Sequence, residues 1–387
     1  MELSERIMGI KPSATLSITS KAKAMKSEGI DVISFGAGEP DFDTPVYIKE
    51  AAKTAIDQGK TKYTISIGTL QLREAICNKL ADFNNLEYKP EDIVVSNGAK
   101  HSLYNIFQAI CNKDDEVVII SPYWVSYVEM VAVAGGKPVI VDALACDGFK
   151  VRLDNLAAAL TDKTKAIIIN SPLNPTGCVY TKEELKGIFN LLNGKGIRII
   201  SDEIYERLIY DNLECASIAS LSQESKDATI IVNGVSKTYS MTGWRIGYIA
   251  STDRALTKAI KNLQDHSSSN PSSISQEAAL AAITKEDNSI GEMKKEFEKR
   301  RDYMIKRIEA IDKISCVKPE GAFYCFVDVS EVNKNTLEFA DKLLDDVKVA
   351  VVPGEGFGAP GFIRLSFATS MENIKKGLDR IEKWLKQ

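Results

Sequence analysis

Short runs of β-branched residues alternate with helical patterns between residues 92 and 250, and this alternation limits the possible fold more than any other feature of the sequence. The runs are continuously apolar, which is typical of strands buried on both faces of a sheet. Their alternation with helices, such as Lys182–Leu192 behind the N-cap Thr181, predicts a mostly parallel sheet covered by helices on both faces. The predicted strands span Asp92–Val95, Glu116–Ile120, Ala166–Ile169, Ile197–Ile200 and Thr229–Val232.

The pattern changes after residue 285, where a long charged helix is predicted over 287–310. Its lysines and arginines are interleaved with acidic residues, which is typical of a helix face exposed to solvent. Shorter strands and helices follow, so this part of the chain predicts a smaller α+β domain. The predicted elements are strands at Phe323–Val327, Val349–Val352 and Ile363–Phe367 and helices at 336–345 and 371–386.

Composition excludes several classes of function. The 387 residues carry 49 basic and 53 acidic side chains, a net charge of −4 that does not favour nucleic acid as a partner. Two histidines exclude a three-histidine metal site, and seven scattered cysteines without a C-x-x-C pair argue against zinc. We expect no bound metal, a reducing cytoplasmic location, no secretory signal at the charged N-terminus and no membrane association.

Polar side chains follow each predicted strand of the large sheet, at the edge where a parallel sheet binds its ligands. Small residues that enter a helix offer free N–H groups to a phosphate. An aromatic ring, an amide, an acid beside a phenol, and a lysine follow the other strands. These side chains lie in the segments Ser96–Lys100, Ser121–Trp124, Asn170–Gly177, Ser201–Tyr205 and Asn233–Lys237.

Together these groups match a flat aromatic ligand that carries a phosphate, a ring nitrogen and an aldehyde able to form an imine with a lysine. Pyridoxal 5'-phosphate has all of these features. A second glycine-rich stretch, Gly354–Ala359, is similar to a dinucleotide-binding fingerprint. Pro360 and another strand pattern follow it, so we interpret this stretch as an irregular loop.

The sequence resembles the fold-type I, pyridoxal-phosphate-dependent class I aminotransferases of the prokaryotic aspartate aminotransferase type. The resemblance covers nearly the whole chain and rests on several specific motifs. It implies a mostly parallel seven-stranded sheet flanked by helices, with a smaller α+β domain built from both chain ends. The motifs are Lys11–Thr15, Gly36–Phe42, Thr61–Thr64, Asn174–Gly177, Ser201–Tyr205, Ser236–Gly247 and Arg364–Ala368.

The resemblance also implies domain limits: an N-terminal arm with part of the small domain over 1–45, a large cofactor-binding domain over 46–285, and the small C-terminal domain over 286–387. Tyr63 would reach the cofactor phosphate of a neighbouring subunit, which implies a homodimer with shared active sites. Its other implied partners are amino-acid and 2-oxo-acid substrates.

The resemblance assigns the reacting groups. Lys237 would hold the cofactor as an aldimine and then act as the general base at the substrate Cα. Asp202 would pair with the pyridine nitrogen and keep it protonated. Tyr205 and Asn174 would hydrogen-bond the phenolic oxygen, and Trp124 would stack on the ring.

The remaining assignments concern the phosphate and the substrate. Backbone groups of Gly98, Ala99 and Lys100, with the guanidinium of Arg245, would bind the phosphate. In the substrate site, Arg364 would bind the α-carboxylate, close to the backbone of Gly38 and to the side chains of Trp124 and Asn174. The side chain of Lys100 would bind the second carboxylate of an acidic substrate, with contacts from Lys11, Ser13 and Thr15.

The sequence departs from the family pattern at one position. Many relatives have a phosphate-binding serine three residues before the lysine, and this chain has Gly234 there. The resemblance implies ping-pong transfer of the amino group from L-aspartate to 2-oxoglutarate, which gives oxaloacetate and L-glutamate. An aminotransferase for prephenate, aromatic amino acids or alanine, and a β-lyase on the same scaffold, remain as alternatives.

Overall fold

The computed structural model describes residues 3–10, 14–285 and 287–387. The strands, numbered along the chain, are β1 (Ile33–Ser34), β2 (Ile93–Ser96), β3 (Glu116–Ser121), β4 (Lys137–Asp142), β5 (Thr164–Asn170), β6 (Arg198–Asp202), β7 (Thr229–Gly234), β8 (Gly247–Ala250), β9 (Ser315–Cys316), β10 (Tyr324–Asp328), β11 (Val349–Ala350), β12 (Val352–Pro353) and β13 (Phe362–Ser366).

The α-helices are α1 (Glu5–Met8), α2 (Ala14–Ser27), α3 (Val46–Asp57), α4 (Leu70–Asn84), α5 (Ala99–Ile110), α6 (Ser126–Val133), α7 (Leu153–Ala159), α8 (Lys182–Leu192), α9 (Gln223–Ala228), α10 (Arg254–Ser267), α11 (Ser273–Thr284), α12 (Ser289–Ile308), α13 (Thr336–Val347) and α14 (Met371–Leu385).

The largest sheet in the described chain has seven strands in the order β2-β8-β7-β6-β5-β3-β4. All of its neighbouring pairs are parallel except those that β8 makes with β2 and β7. Apolar clusters lie on both faces of this sheet, as expected for strands that are buried on both sides. The carboxyl ends of β5, β6 and β7 therefore meet at one edge, which the chain uses for its polar side chains.

The strands predicted from the apolar runs are confirmed to within two residues at each end. The predicted helix over Lys182–Leu192 is also confirmed, with Thr181 as its N-cap and Glu184 completing a capping box. The sequence reading missed β4 and β8. Most residues of β4 are exposed or half-buried, and Pro138 lies within it, as is typical of an edge strand.

The second part of the fold joins the two ends of the chain. Strands β12, β13, β10 and β9 form an antiparallel sheet in that order, and β1 pairs in parallel with β11. The register places Ile33 opposite Val349. One apolar cluster unites residues from the N-terminal part of the chain, such as Phe35, with residues from α12, α13 and α14. The smaller α+β unit is therefore built from both ends of the chain, as the resemblance implied.

The expectation of a fully solvated basic face on α12 is wrong for two of its arginines. Arg300 is 7% exposed and Arg301 is fully buried. Arg301 donates two hydrogen bonds of 2.7 and 2.9 Å to the carboxylate of Asp211, and Arg300 donates bonds of 2.8 and 3.0 Å to Asp41. Because each guanidinium meets a carboxylate through paired hydrogen bonds, its charge is compensated inside the fold.

The Gly354–Phe357 part of the second glycine-rich stretch forms a short 3-10 helix and opens no α-helix in the described chain. Phe357 packs in an apolar cluster there. Among residues 3–10, 14–285 and 287–387, no helix has the length and apolarity that crossing a bilayer requires. The same residues contain no group of three histidine, cysteine, aspartate or glutamate side chains placed to hold a metal ion.

Candidate active site

A cavity of about 450 Å³ opens at the carboxyl ends of the large sheet. It lies where the sheet meets the smaller unit, so segments that are distant in sequence contribute to its wall. Ten of the sequence-predicted site residues line it, namely Gly38, Ala99, Lys100, Trp124, Asn174, Asp202, Tyr205, Lys237, Arg245 and Arg364. The structure thus brings these predicted residues to one place.

One end of the cavity is built for an anion. Gly98 is the N-cap of α5 and has a φ of 89°, a backbone conformation that glycine adopts without strain. The guanidinium of Arg245 lies above this turn and donates hydrogen bonds of 2.8 Å to the carbonyl of Thr242 and 3.3 Å to that of Asn97. Free N–H groups at the N-terminus of α5, which includes Ala99, and a fixed cation together form a site for a phosphate.

The departure at Gly234 has a packing reason. Gly234 pairs with Gly247 across β7 and β8, and a Cβ at position 234 would lie 2.8 Å from both Gly247 Cα and the Ile246 carbonyl oxygen. A Cβ at position 247 would in turn lie 2.2 Å from the backbone nitrogen of Ala99. The two glycines let β7, β8 and the start of α5 pack backbone against backbone. A serine at position 234 would require one of these segments to shift.

A buried carboxylate also lines the cavity. Asp202 is 4% exposed, and its Oδ2 accepts a hydrogen bond of 2.7 Å from the hydroxyl of Tyr127. Its Oδ1 accepts a longer bond of 3.3 Å from the N–H of Ile204. Burial raises the pKa of Asp202 to about 6, and the bond from Tyr127 opposes that rise. This carboxylate is placed to bind a protonated ring nitrogen.

Lys237 lines the same cavity as Arg245 and Asp202. Its partly buried ammonium group donates a hydrogen bond to the carbonyl of Gly38. Burial, opposed by the charge of Glu39 and helped by Arg364 and Arg245, lowers the pKa of Lys237 to about 8. An amine with a lowered pKa is available near neutral pH as a nucleophile and a base.

Arg364 is a buried cation whose hydrogen-bonding capacity is only partly used. It donates bonds of 3.0 Å to Asn174 Oδ1 and 3.2 Å to the carbonyl of Gly36. Its Nε is buried and has no hydrogen-bond partner in the described chain. Rings of Tyr324 and Phe357 lie 4.3 and 5.2 Å from the guanidinium carbon. Because a buried arginine without a counter-ion is costly, this guanidinium is suited to an incoming carboxylate.

The aromatic wall contains Trp124, whose ring meets that of Tyr127 edge to face at 5.4 Å. The Lys100 ammonium lies 4.8 Å from the centre of the Trp124 ring. Burial and the nearby Arg245 lower the pKa of Lys100. The hydroxyls of two further lining residues, Tyr205 and Tyr324, are 3.0 Å apart. The site therefore combines flat apolar surface with a few placed polar groups, as ligand sites usually do.

Some predicted residues are not brought to the cavity. Tyr63 is 88% exposed and does not line the cavity of its own chain. Lys11 and Ser13 lie outside the described residues, as does the side chain of Thr15, so their predicted contacts with substrate stay predictions.

Sequence reasoning missed two tyrosines that shape the site. Tyr127 is three residues after Trp124, in the first turn of α6, and Tyr324 begins β10. Tyr127 had only a weak signal, its closeness in sequence to Trp124. Tyr324 had none, because an aromatic residue in an apolar run is typical of any buried strand.

Comparison with known proteins shows the family. The model of the family "Aminotransferase class I and II" matches residues 30–381. An aspartate aminotransferase of Bacillus sp. (strain YM-2) is 50% identical, over 99% of this chain and 99% of that protein. A probable aspartate/prephenate aminotransferase of Aquifex aeolicus is 49% identical, over 100% of this chain and 99% of that protein.

Solved structures agree with these relatives. The aspartate aminotransferase of Thermus thermophilus with maleate superposes with a TM-score of 0.95 at 41% identity, over 99% of both chains. The aspartate aminotransferase of Rhizobium meliloti gives a TM-score of 0.96 at 40% identity, over 100% of this chain and 99% of that one. A family match over most of the sequence and full-length relatives near 50% identity lead to one conclusion: this chain belongs to the class I and II aminotransferases.

Proposed function

We propose that this enzyme is a pyridoxal-phosphate-dependent aspartate aminotransferase, which moves the amino group of L-aspartate to 2-oxoglutarate and yields oxaloacetate and L-glutamate. The observation that carries this proposal is the position of Lys237, whose pKa is lowered to about 8, in one cavity with the buried Asp202 and the partly unpaired Arg364. The names of the full-length relatives support the choice of aspartate.

The residues present fit the cofactor. The turn at Gly98 with Arg245 would hold its phosphate, Asp202 its ring nitrogen, and Trp124 one face of its ring. The side chains of Asn174 and Tyr205 would bind its phenolic oxygen. When bound, pyridoxal phosphate supplies an electron-withdrawing ring that stabilises negative charge at the substrate Cα.

The protein side chains position the substrate and move its proton. Arg364 binds the α-carboxylate through its two-pronged guanidinium, helped by Asn174, and so fixes the direction of the Cα–H bond. Lys237 takes the proton from Cα at its Nζ, because its lowered pKa leaves a fraction of the amine neutral near pH 7. The carboxylate of Asp202 would pair with the ring nitrogen of the bound cofactor and favour its protonated form.

The side-chain carboxylate of aspartate needs a second cation, and we assign Lys100 to it. Lys100 is a pocket-lining residue in the first turn of α5, where a cation is unfavourable beside the helix dipole. A role in binding anions explains its presence there. The name of the Aquifex aeolicus relative keeps prephenate as a second amino acceptor to be tested.

We also propose that two copies of the chain share their active sites. Tyr63 is 88% exposed, and Ile65 and Leu70, which follow it in sequence, are 49% and 48% exposed. Exposed apolar side chains in one segment are typical of a surface that binds a partner. Tyr63 would reach the phosphate in the partner's cavity. The smaller unit would comprise the N-terminal arm within 1–45 and residues 286–387, joined through the pairing of β1 with β11.

The test is rapid mixing of the cofactor-loaded enzyme with L-aspartate alone, followed by absorbance. We expect conversion of the aldehyde-form band to the amine-form band, and no conversion in Lys237→Ala. Conversion by alanine or an aromatic amino acid but not by aspartate would contradict the substrate assignment. Release of pyruvate and ammonia from a β-substituted amino acid would favour the lyase. Absence of any cofactor band would contradict the proposal as a whole.

A further inference from the structure

His101 has no assigned role, yet it holds the turn that forms the anion-binding end of the cavity. It is the third residue of α5, and its Nδ1 accepts a hydrogen bond of 3.1 Å from the backbone N–H of Asn97. The carbonyl of the same Asn97 accepts a bond of 3.3 Å from Arg245. Asn97 is thus held through both of its peptide groups, and Gly98 follows it directly.

A carboxylate usually performs this task at a helix start. In α8 the third residue, Glu184, accepts the N–H of Thr181 at 2.7 Å, as in an ordinary capping box. In α5 the third residue is His101. Its imidazole accepts the N–H of Asn97, the residue before the N-cap Gly98, and not the N–H of the N-cap itself. No residue of α8 lines the cavity, so this helix is an internal reference for an ordinary helix start in this chain.

The difference is one of charge. A glutamate in the first turn of α5 would place a full negative charge beside any phosphate bound there, and the two anions would repel each other. A neutral imidazole accepts the same kind of bond without that charge. Burial and the nearby Arg245 lower the pKa of His101, which favours the neutral form, and acceptance at Nδ1 leaves the proton on Nε2.

We propose that His101 is a positioning residue of the phosphate site: an uncharged side-chain acceptor that holds Asn97 and Gly98 in place while it leaves the helix N-terminus free for a dianion. This inference rests on the proposed function, since it requires that the turn at Gly98 binds the cofactor phosphate. It concerns how this chain shapes that turn, and His101 itself need not touch the phosphate.

The test uses three variants of the full-length apoenzyme, His101→Gln, His101→Glu and His101→Leu. Each is titrated with pyridoxal phosphate and with pyridoxal, which lacks the phosphate, and its thermal unfolding midpoint is measured without ligand. Glutamine keeps a neutral acceptor, glutamate keeps the acceptor and adds charge, and leucine removes the acceptor.

We expect His101→Gln to bind pyridoxal phosphate within about threefold of the wild type and His101→Glu to bind it roughly tenfold or more weakly. Pyridoxal affinity should be the same in both variants. The unfolding midpoint of the His101→Glu apoenzyme should equal or exceed that of the wild type, because a negative charge favours a helix N-terminus. His101→Leu should lose both phosphate-dependent affinity and thermal stability.

Equal binding of pyridoxal phosphate by His101→Glu and the wild type would overturn the inference. So would an equal loss of pyridoxal phosphate and pyridoxal affinity, which would indicate general damage to the cavity. A wild type that binds neither compound would instead refute the proposed function, and this inference with it.

Discussion

The hydroxyl of Tyr127 donates a hydrogen bond of 2.7 Å to Oδ2 of Asp202, and both side chains are buried. The bond joins the first turn of α6 to the end of β6, 75 residues further along the chain. It lowers the pKa of Asp202 against the opposing effect of burial. Tyr127 therefore sets the orientation and the charge of the carboxylate that we assign to the ring nitrogen.

Replacement of Tyr127 by phenylalanine should raise the pKa of Asp202 above its value of about 6. The acid limb of the pH profile of kcat/KM for aspartate should then move to higher pH, and kcat should fall about tenfold, since a bond to a charged group contributes about 1.5 kcal/mol or more. Tyr180→Phe is the control, because Tyr180 is a buried tyrosine that accepts the N–H of Val151 outside the site. An unshifted acid limb in Tyr127→Phe would contradict the role given to Tyr127.

Replacement of Arg364 by lysine should raise KM for aspartate and lower kcat/KM at least roughly a hundredfold. Lysine lacks the planar fork that binds a carboxylate through two bonds, and a poorly paired buried charge costs about 2–5 kcal/mol. Steady-state kinetics with varied aspartate measures the effect. Arg301→Lys is the control, because Arg301 is a fully buried arginine that does not line the cavity. We expect this variant to have reduced stability and an unchanged KM. Comparable KM values in both variants would argue against a substrate role for Arg364.

Replacement of Lys100 by glutamine should reduce kcat/KM for aspartate about tenfold relative to that for alanine, because only aspartate has a second carboxylate to lose its cation. The ratio of the two half-reaction rates is the readout, since it cancels general losses of cofactor binding. Lys261→Gln, which breaks an exposed ion pair with Asp265, should leave the ratio unchanged. If Lys100→Gln left it unchanged as well, another group would have to bind the second carboxylate.

Introduction of serine at position 234 should destabilise the protein, although many relatives have a serine there. Its Cβ would lie 2.8 Å from backbone atoms of Ile246 and Gly247, and such overpacking costs about 1–3 kcal/mol. Urea unfolding gives the free-energy change. Gly243→Ser is the matched control, because a Cβ at that position meets no described atom within 4 Å. A fully stable Gly234→Ser variant would show that β8 can shift away from β7.

The stability of the enzyme should depend on Glu203 in a pH-specific way. Its Oε1 accepts bonds of 2.8 and 2.6 Å from Ser201 and Ser217, while its Oε2 is buried without a partner in the described chain. Burial, and then Glu206, raise the pKa of Glu203 to about 7. Because the pKa of Glu203 is higher in the folded than in the unfolded state, protonated Glu203 stabilises the fold. This stabilisation is fully present below the unfolded-state pKa and is lost as the pH rises through 7.

The stability of the Glu203→Gln variant relative to the wild type should therefore increase as the pH rises. Between about pH 4.5 and 7 the free energy of unfolding of the wild type should fall relative to that of Glu203→Gln, by up to about 3 kcal/mol. Urea unfolding of both proteins at pH 5 and pH 8 measures this difference. A difference that is the same at both pH values would mean that Glu203 keeps one charge state throughout.

The amino-acid sequence was enough to predict the type of fold and most residues of the site. Continuous apolar runs such as Ile167–Ile169 specify buried strands, because burial on both faces leaves no place for polar alternation. The residues after those runs, Asn174, Asp202 and Lys237 among them, then had to meet at one edge of the sheet, because parallel strands share the direction of their carboxyl ends. The motifs around these residues identified the family from the sequence alone.

The tertiary structure alone decided which distant groups meet. Tyr127 reaches Asp202 only because the fold brings the first turn of α6 near the end of β6, and Arg301 meets Asp211 from another segment of the chain. Local patterns cannot reveal such pairs, since hydrophobic periodicity reports which face of an element is buried and not what lies opposite. Gly234 shows the same limit: the sequence marked it as a departure, and only the backbone contact with Gly247 explains it.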